Sequence, residues 1–270
     1  MTAPQATRIV REEVIAPQPV QALAGLLDVE APGGGEVPEL WHWVHLLDRP
    51  ATGDLGADGH PTSGIPAPPG TGMRRMFAGG RVQTHRRLRI GEPATRTTWI
   101  ATEVEKQGRT GPLRFVTVHH EIRQSDQVAI AEEQDIVYRA PSGALPSSSG
   151  EGLPDRDPVL TLDVDERLLF RFSALTYNAH RIHYDRGWCR QEGYDDLVVH
   201  GPLQALMLGE LARRHGVPLV GRRFGYRLVS PMVGPQTMHV LASPDGLDAG
   251  AEVRTADGRR TAVSVLEPIG

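Results

Sequence analysis

Cysteine is almost absent: Cys189 is the single one in 270 residues. That excludes an internal disulfide and any cysteine-built metal cage, and a lone cysteine reads first as a small buried apolar residue. Long apolar runs are missing too. Without about 18 consecutive apolar residues no membrane-spanning helix is expected, and residues 1–18 lack the apolar core of a secretory signal. A cytoplasmic protein with no membrane partner is the expectation. Positive charge is not in excess either, since 29 Lys and Arg stand against 33 Asp and Glu, a formal net charge of −4. Binding a phosphate backbone needs a basic surface, so nucleic acid is not expected as a partner.

What is present is enough apolar material, 39% of residues, to bury either one large core or two small ones. Val20, Leu23, Leu26 and Leu27 recur at helical spacing and predict one helix near the start. Residues 49–72 are rich in Gly, Pro, Asp and Thr, which favours turns; so long a surface loop suggests a cover over a site. Residues 97–105, 113–122 and 128–138 are rich in Val, Ile and Thr, partly alternate, and predict strands, with a fourth over 80–90. Such a run implies an antiparallel sheet.

Residues 139–157 are dominated by Pro, Ser and Gly and read as a linker. The division expected is therefore 1–140, a linker over 141–160, and 161–270. Beyond the linker, residues 201–214 predict a helix with Leu203, Leu206, Met207 and Leu211 as its buried stripe. Arg213 and Arg214 stand at its C-terminal end, where the dipole favours cations. Residues 222–229, 236–241, 251–255 and 260–266 then alternate as strands of a second antiparallel sheet. Two halves of similar length, each ending in strands, suggest a structural duplication, although no residue-level repeat is visible.

Chemically capable side chains are densest over residues 172–185, FSALTYNAHRIHYD, which hold Ser173, Asn178, His180, His183, Tyr184 and Asp185. His200-Gly201-Pro202 follows at the mouth of the expected helix. A helix start presents unpaired N–H groups and the positive end of the dipole, so it stabilises an oxygen that gains negative charge. Pro202 has no N–H, which leaves that of Gly201 as the donor, with no side chain to keep a ligand away. Histidine titrates near neutral pH, and His183 and His180 both qualify as a base on chemistry alone. Plainer roles stand beside these. Gly201 can be a simple cap, Asn178 a turn residue bonded to its own backbone, and His183 a structural histidine. A zinc site built from His180, His183 and His200 is not expected, because cysteines and a His-Glu-x-x-His helix are missing. His119 and His120 are neighbours on a strand, so at most one of them can face a pocket.

The 172–185 motif and the helix-mouth His-Gly pair resemble the MaoC-like (R)-specific enoyl-CoA hydratase family, whose hot-dog fold carries an Asp-x-Asn-Pro-Ile-His signature before a long central helix. Ile182-His183 matches the end of that signature, which implies that His183 is the catalytic histidine, and Gly201 falls at the oxyanion position. Asp185 falls where the family often continues His-x-Asp. The sequence departs from the signature where Asn178 stands at the catalytic aspartate and His180 at the asparagine, so no carboxylate base is present there. Together with LVVHGPLQ, RRMFAGGR (residues 74–81) and EEQDIVYR (132–139), the motif is most similar to a subgroup of mesaconyl-C4-CoA hydratases, itaconyl-CoA hydratases and mitochondrial-type hydroxyacyl-thioester dehydratases. In that subgroup asparagine is the usual residue.

The resemblance spans about residues 41–241 and implies an α+β double hot dog, two antiparallel sheets each wrapped around a central helix. The first half would have lost the motif and would shape the acyl and CoA channel, with Arg74, Arg75 and Arg81 either contacting CoA phosphates or simply solvated. His183 would move the proton, with Asn178 and His180 positioning the water. Ser173, Tyr184 and His200 would support the site. The implied substrate is an acyl-CoA or acyl carrier protein thioester, short and of mesaconyl or itaconyl type, with no cofactor. A monomer and a homodimer are both compatible with such a fold. Rival readings are a hot-dog acyl-CoA thioesterase, for which Glu210 is the only carboxylate on the expected helix, and a catalytically silent acyl-CoA binding module.

Overall fold

The computed structural model describes residues 7–66, 73–108, 111–140, 150, 152–157 and 159–269. The first half contains β1 (Ile9–Val14), α1 (Pro17–Leu26), β2 (Arg74–Thr84), β3 (Pro93–Gly108), β4 (Gly111–Gln124) and β5 (Gln127–Arg139). The second contains β6 (Val159–Val164), α2 (Glu166–Leu175), α3 (Arg186–Gln191), α4 (Gly201–Arg214), β7 (Arg222–Leu228), β8 (Gln236–Ser243), β9 (Gly246–Arg254) and β10 (Arg260–Pro268). Most of the linker expected over 141–160, residues 141–149 with 151 and 158, lies outside the described residues, as do residues 67–72 of the long loop.

The strands alternate as their sequences require. Along β4, Val116, Val118, His120 and Ile122 are buried at every second position, the period of a pleated strand with one face on a core. The fourth strand of the first half lies earlier than its composition suggests, at Arg74–Thr84 rather than 80–90, because the chain bends after Thr84 and returns over residues 85–92 to β3. All pairings are antiparallel. The order β1-β3-β4-β5-β2 in the first half returns as β6-β8-β9-β10-β7 in the second.

Two separate sheets, each with its own central helix, are not what the described residues form. β2 and β7 pair across the middle, with Gly80 opposite Tyr226, and give one sheet of ten strands. Each would otherwise be an open edge with a row of unpaired backbone groups, and joining them removes both. The long helix is present in the second half alone, where α4 packs on β7, β8, β9 and β10. In the first half α1 packs instead on α2 and on the 3-10 turn Trp41–Val44.

Helix α4 spans the expected residues, but burial is not confined to the expected stripe. Every residue from Leu203 to Ala212 is buried. One side lies on the sheet, and the other is covered by the first half, where Trp41 Nε1 donates to Glu210 Oε1 at 2.7 Å. Glu210 also pairs with Arg213 at 2.7 Å and Arg214 at 3.2 Å. No helix among the described residues is long and apolar enough to cross a membrane.

Candidate active site

A cavity of about 1340 Å³ opens where the two halves meet, lined from the second half by Asn178, His180, His183 and Gly201 and from the first by His60 and Arg75. Residues 172–185 are not one element. Helix α2 ends at Leu175, a loop follows, and His183 closes the 3-10 turn Arg181–His183.

His183 is buried, and its Nδ1 lies 2.7 Å from the carbonyl oxygen of Val198. A carbonyl can only accept, so Nδ1 carries the proton and Nε2 keeps its lone pair. Burial first, and then the neighbouring His200 and His180, hold the ring well below the ordinary imidazole value. His183 is therefore a neutral imidazole at pH 7, with Nε2 able to accept a proton. It stacks on His200 with centroids 3.5 Å apart. His200 is fully buried behind it, with Nε2 2.8 Å from Ser173 Oγ and Nδ1 without a partner. Burial, and after it His180, push His200 down to about 3. His200 is closed off from solvent, whereas Ser173 also lines the cavity, and together they back the His183 ring.

Because His200 is the residue before Gly201, this stack also brings His183 to the mouth of α4. Gly201 is the first helical residue, with Pro202 next, so its N–H has no intrahelical acceptor. A Cβ at Gly201 would lie 2.3 Å from Leu228 Cδ1 and 3.1 Å from Phe77 Cδ1. A side chain there would have to displace Leu228, so packing favours glycine beyond any role as a cap. Asn178 makes the turn that its residue type allows, Oδ1 accepting from the His180 N–H at 3.0 Å, while its Nδ2 makes no hydrogen bond among the described residues. Tyr184 is half exposed at the cavity rim and donates to Ala179 O at 3.0 Å.

Other candidates lie elsewhere. Asp185 caps α3 by accepting from Trp188 N at 3.0 Å and pairs with Arg181 at 2.5 Å; it does not line the cavity. Arg81 also stands outside the lining and pairs with Glu133 and Asp135. Arg74 lines the cavity but donates to the carbonyls of Glu192 and Gln191 at 2.5 and 3.1 Å. Of the pair on β4, His120 lines the cavity while His119 stacks on Trp99. Burial pushes the Cys189 thiol up to about 11, and its Sγ donates to Ile182 O at 3.1 Å. It is the inert packing residue its isolation suggested.

Sequence reading did not single out Asp58 and His60, which the first half contributes from the Gly/Pro-rich loop. Asp58 Oδ1 accepts from His60 N at 2.9 Å and Oδ2 is 3.0 Å from His60 Nδ1. The His60 ring lies 4.0 Å from that of His180, which in turn meets His183 edge-on at 5.6 Å. Burial first, with the charges of His180 and Arg75, holds His60 at about 4. The loop is docked firmly: Arg181 N donates to Asp58 O at 2.9 Å, and Arg181 Nη1 to Ala57 O at 3.1 Å. Gly59 has φ +87°, and a Cβ there would fall 1.9 Å from Ala179 O. The available signal was Asp two residues before His in a loop expected to cover the site. Asp58, His60 and His180 also bring metal-ligand atoms within 4.8 Å of one another, though Asp58 Oδ2 is already taken up by His60.

A long helix laid on one half of a doubled antiparallel sheet is the architecture of the hot-dog class. HtdX of Mycobacterium tuberculosis superposes with a TM-score of 0.71 at 14% identity, covering 97% of this chain and 100% of that one. Another protein of that organism, described as having a double hotdog fold, gives 0.57 at 13% identity, covering 98% and 96%. The chain belongs to the hydroxyacyl-thioester dehydratase type 2 family, whose profile matches residues 40–234. It is 46% identical over 259 residues to the mesaconyl-C(4)-CoA hydratase of Chloroflexus aurantiacus, covering 93% of this chain and 91% of the relative. It is 26% identical over 235 residues to the mitochondrial hydroxyacyl-thioester dehydratase type 2 of Schizosaccharomyces pombe, covering 76% and 77%.

Proposed function

We propose that this protein is a hydro-lyase that reversibly adds water to an enoyl-CoA, or removes it from the matching 3-hydroxyacyl thioester. The observation that carries the reading is His183, neutral, with Nδ1 fixed by Val198 O and its ring stacked on the residue before Gly201. In hydration, Nε2 takes a proton from water as the C–O bond forms at the β-carbon. The double-bond electrons move to the thioester oxygen, which the Gly201 N–H holds. The imidazolium then returns its proton to the α-carbon. The thioester is its own electron sink, so the reaction calls for no cofactor. A fixed donor at such an oxygen is worth about 10²–10³ in rate. Asn178 orients the water, with His180 beside it, and so fills the aspartate position without acting as a base.

In this reading residues 161–270 carry the chemistry, residues 1–140 wall the channel, and 141–160 connect them. The acyl group is short, and the 46% identical mesaconyl-C(4)-CoA hydratase supports a dicarboxylic one. The thioesterase alternative loses its carboxylate, because Glu210 is buried against Trp41, Arg213 and Arg214 and stands outside the cavity lining. The test is loss of enoyl-thioester absorbance with crotonyl-, mesaconyl- and itaconyl-CoA. We expect hydration that falls about 10²–10⁴-fold in His183→Ala. Turnover that survives this substitution, or cleavage of saturated acyl-CoA in place of hydration, would overturn the reading.

A further inference from the structure

Six arginines line the cavity, and four of them are ion-paired: Arg11 and Arg96 with Asp48, Arg49 with Glu13, and Arg74 with Glu192. Arg139 and Arg75 have no such partner among the described residues. Arg139 stands at the last position of β5, and its charge acts on Tyr194. Arg75 is different, because its charge acts on His60, whose ring stacks on His180 beside the base. A guanidinium carries five donors and no acceptor; Arg75 is half-buried in the cavity wall and makes no hydrogen bond to another described residue, so its donors stay open to a ligand that enters the cavity. Asp58, the carboxylate whose charge reaches Arg75, has both oxygens turned to His60.

The strand register locates this cation relative to the reacting atoms. Phe77 pairs with Ile136 and Arg75 with Tyr138, so Arg75 and Phe77 are two residues apart on one face of β2, about 7 Å along the strand. Phe77, with Leu228, packs at the Gly201 position. Arg75 thus stands on the strand about one short acyl chain from the residue packed at the helix mouth, and both line the same cavity. CoA phosphates, at the far end of the pantetheine arm, would lie well beyond it.

We propose that Arg75 is a carboxylate subsite, which takes the distal carboxylate of a dicarboxylic enoyl thioester by paired N–H donation and sets the β-carbon against His183. The proposal rests on the hydration reading and adds to it the residue that selects the acyl group. Planar two-point recognition of this kind is what arginine supplies and lysine does not. In a four-carbon enoyl dicarboxylate the second carboxylate sits on the β-carbon itself. Its neutralisation by Arg75 removes the repulsion that the incoming, increasingly anionic water oxygen would meet.

The experiment compares kcat/KM for mesaconyl-C4-CoA and for crotonyl-CoA, which lacks the carboxylate, in wild type and in Arg75→Met. The ratio of the two values is expected to fall about 10²- to 10³-fold in the variant, the size of a lost enclosed charge pair. A second arm leaves the protein unchanged: wild type is given mesaconyl-C4-CoA methylated on the distal carboxylate, and should lose kcat/KM by a similar factor. Equal losses on both substrates in the variant would mark Arg75 as a general or CoA contact and overturn the subsite, as would full activity on the methyl ester. Wild type that hydrates neither substrate removes the hydration reading, and the subsite with it, before any variant is made.

Discussion

The two halves share a strand order, β1-β3-β4-β5-β2 and β6-β8-β9-β10-β7, yet differ in what each lays over its strands. The second half places α4 there, its first turn at the cavity and its residues from Leu203 to Ala212 all buried. Before β2, where the second half has α4, the first half carries a Gly/Pro-rich segment whose residues 49–66 hold a single 3-10 turn, Thr52–Asp54. The same sheet thus supports a rigid donor on one side and a docked loop on the other. The loop reaches across to seat His60 on His180, so the site needs both halves even though the motif lies in one.

Three changes sharpen or break that contrast. The largest effect is expected at the rigid side: Gly201→Ala places a methyl 2.3 Å from Leu228 Cδ1 and shifts the helix mouth. The kcat should fall about 10²-fold, toward the loss of a whole oxyanion donor. Because alanine keeps the N–H, unchanged kcat would show that Leu228 and Phe77 give way and that the helix mouth does not shift.

Next in size is an acid sensitivity that both halves share. His60 and His120 in the first half are held at about 4, and His200 in the second at about 3, each by burial first. These folded values lie below the unfolded imidazole value of about 6.5. The unfolded chain therefore takes up protons first, and stability is full above about pH 6.5 and is lost as pH falls toward about 4. Each histidine contributes at most about 1.4 kcal/mol per pH unit, and the three together are expected to cost about 4–5 kcal/mol between pH 6.5 and 5. Asp58 and Glu132, held at about 2, act only below that window. Thermal melts from pH 8 to 5 should show a level Tm down to about 6.5 and then a decline. A Tm independent of pH would mean that these rings are not buried neutral.

The smallest effect belongs to the loop. His60→Asn should lower kcat about tenfold by removing the ring against His180, and Asp58→Asn should do the same by releasing His60. The double variant should fall no further, the mark of two residues acting as one unit. Additive losses would separate the pair and leave the loop a mere cover.

Much of the second half was legible because its signals are local. The spacing of Leu203, Leu206, Met207 and Leu211, with His-Gly-Pro ahead, located α4, and alternation located the strands within a few residues. The sequence by itself also supplied the candidate groups that the fold brings together: a histidine two residues beyond His-Arg and a helix mouth that begins His-Gly-Pro. Other features depend on what folds opposite, which periodicity does not encode. The proton on His183 Nδ1 is assigned by Val198, 15 residues away. The seam between β2 and β7 joins two expected sheets into one because each supplies the other's missing ladder partners. Loop composition announced turns around Asp58 and His60 but not the ring they would meet. Arg74, Arg75 and Arg81 are alike as residues, and only the tertiary structure separated them, since an arginine's role is set by which acceptors the rest of the chain brings within reach and which it withholds.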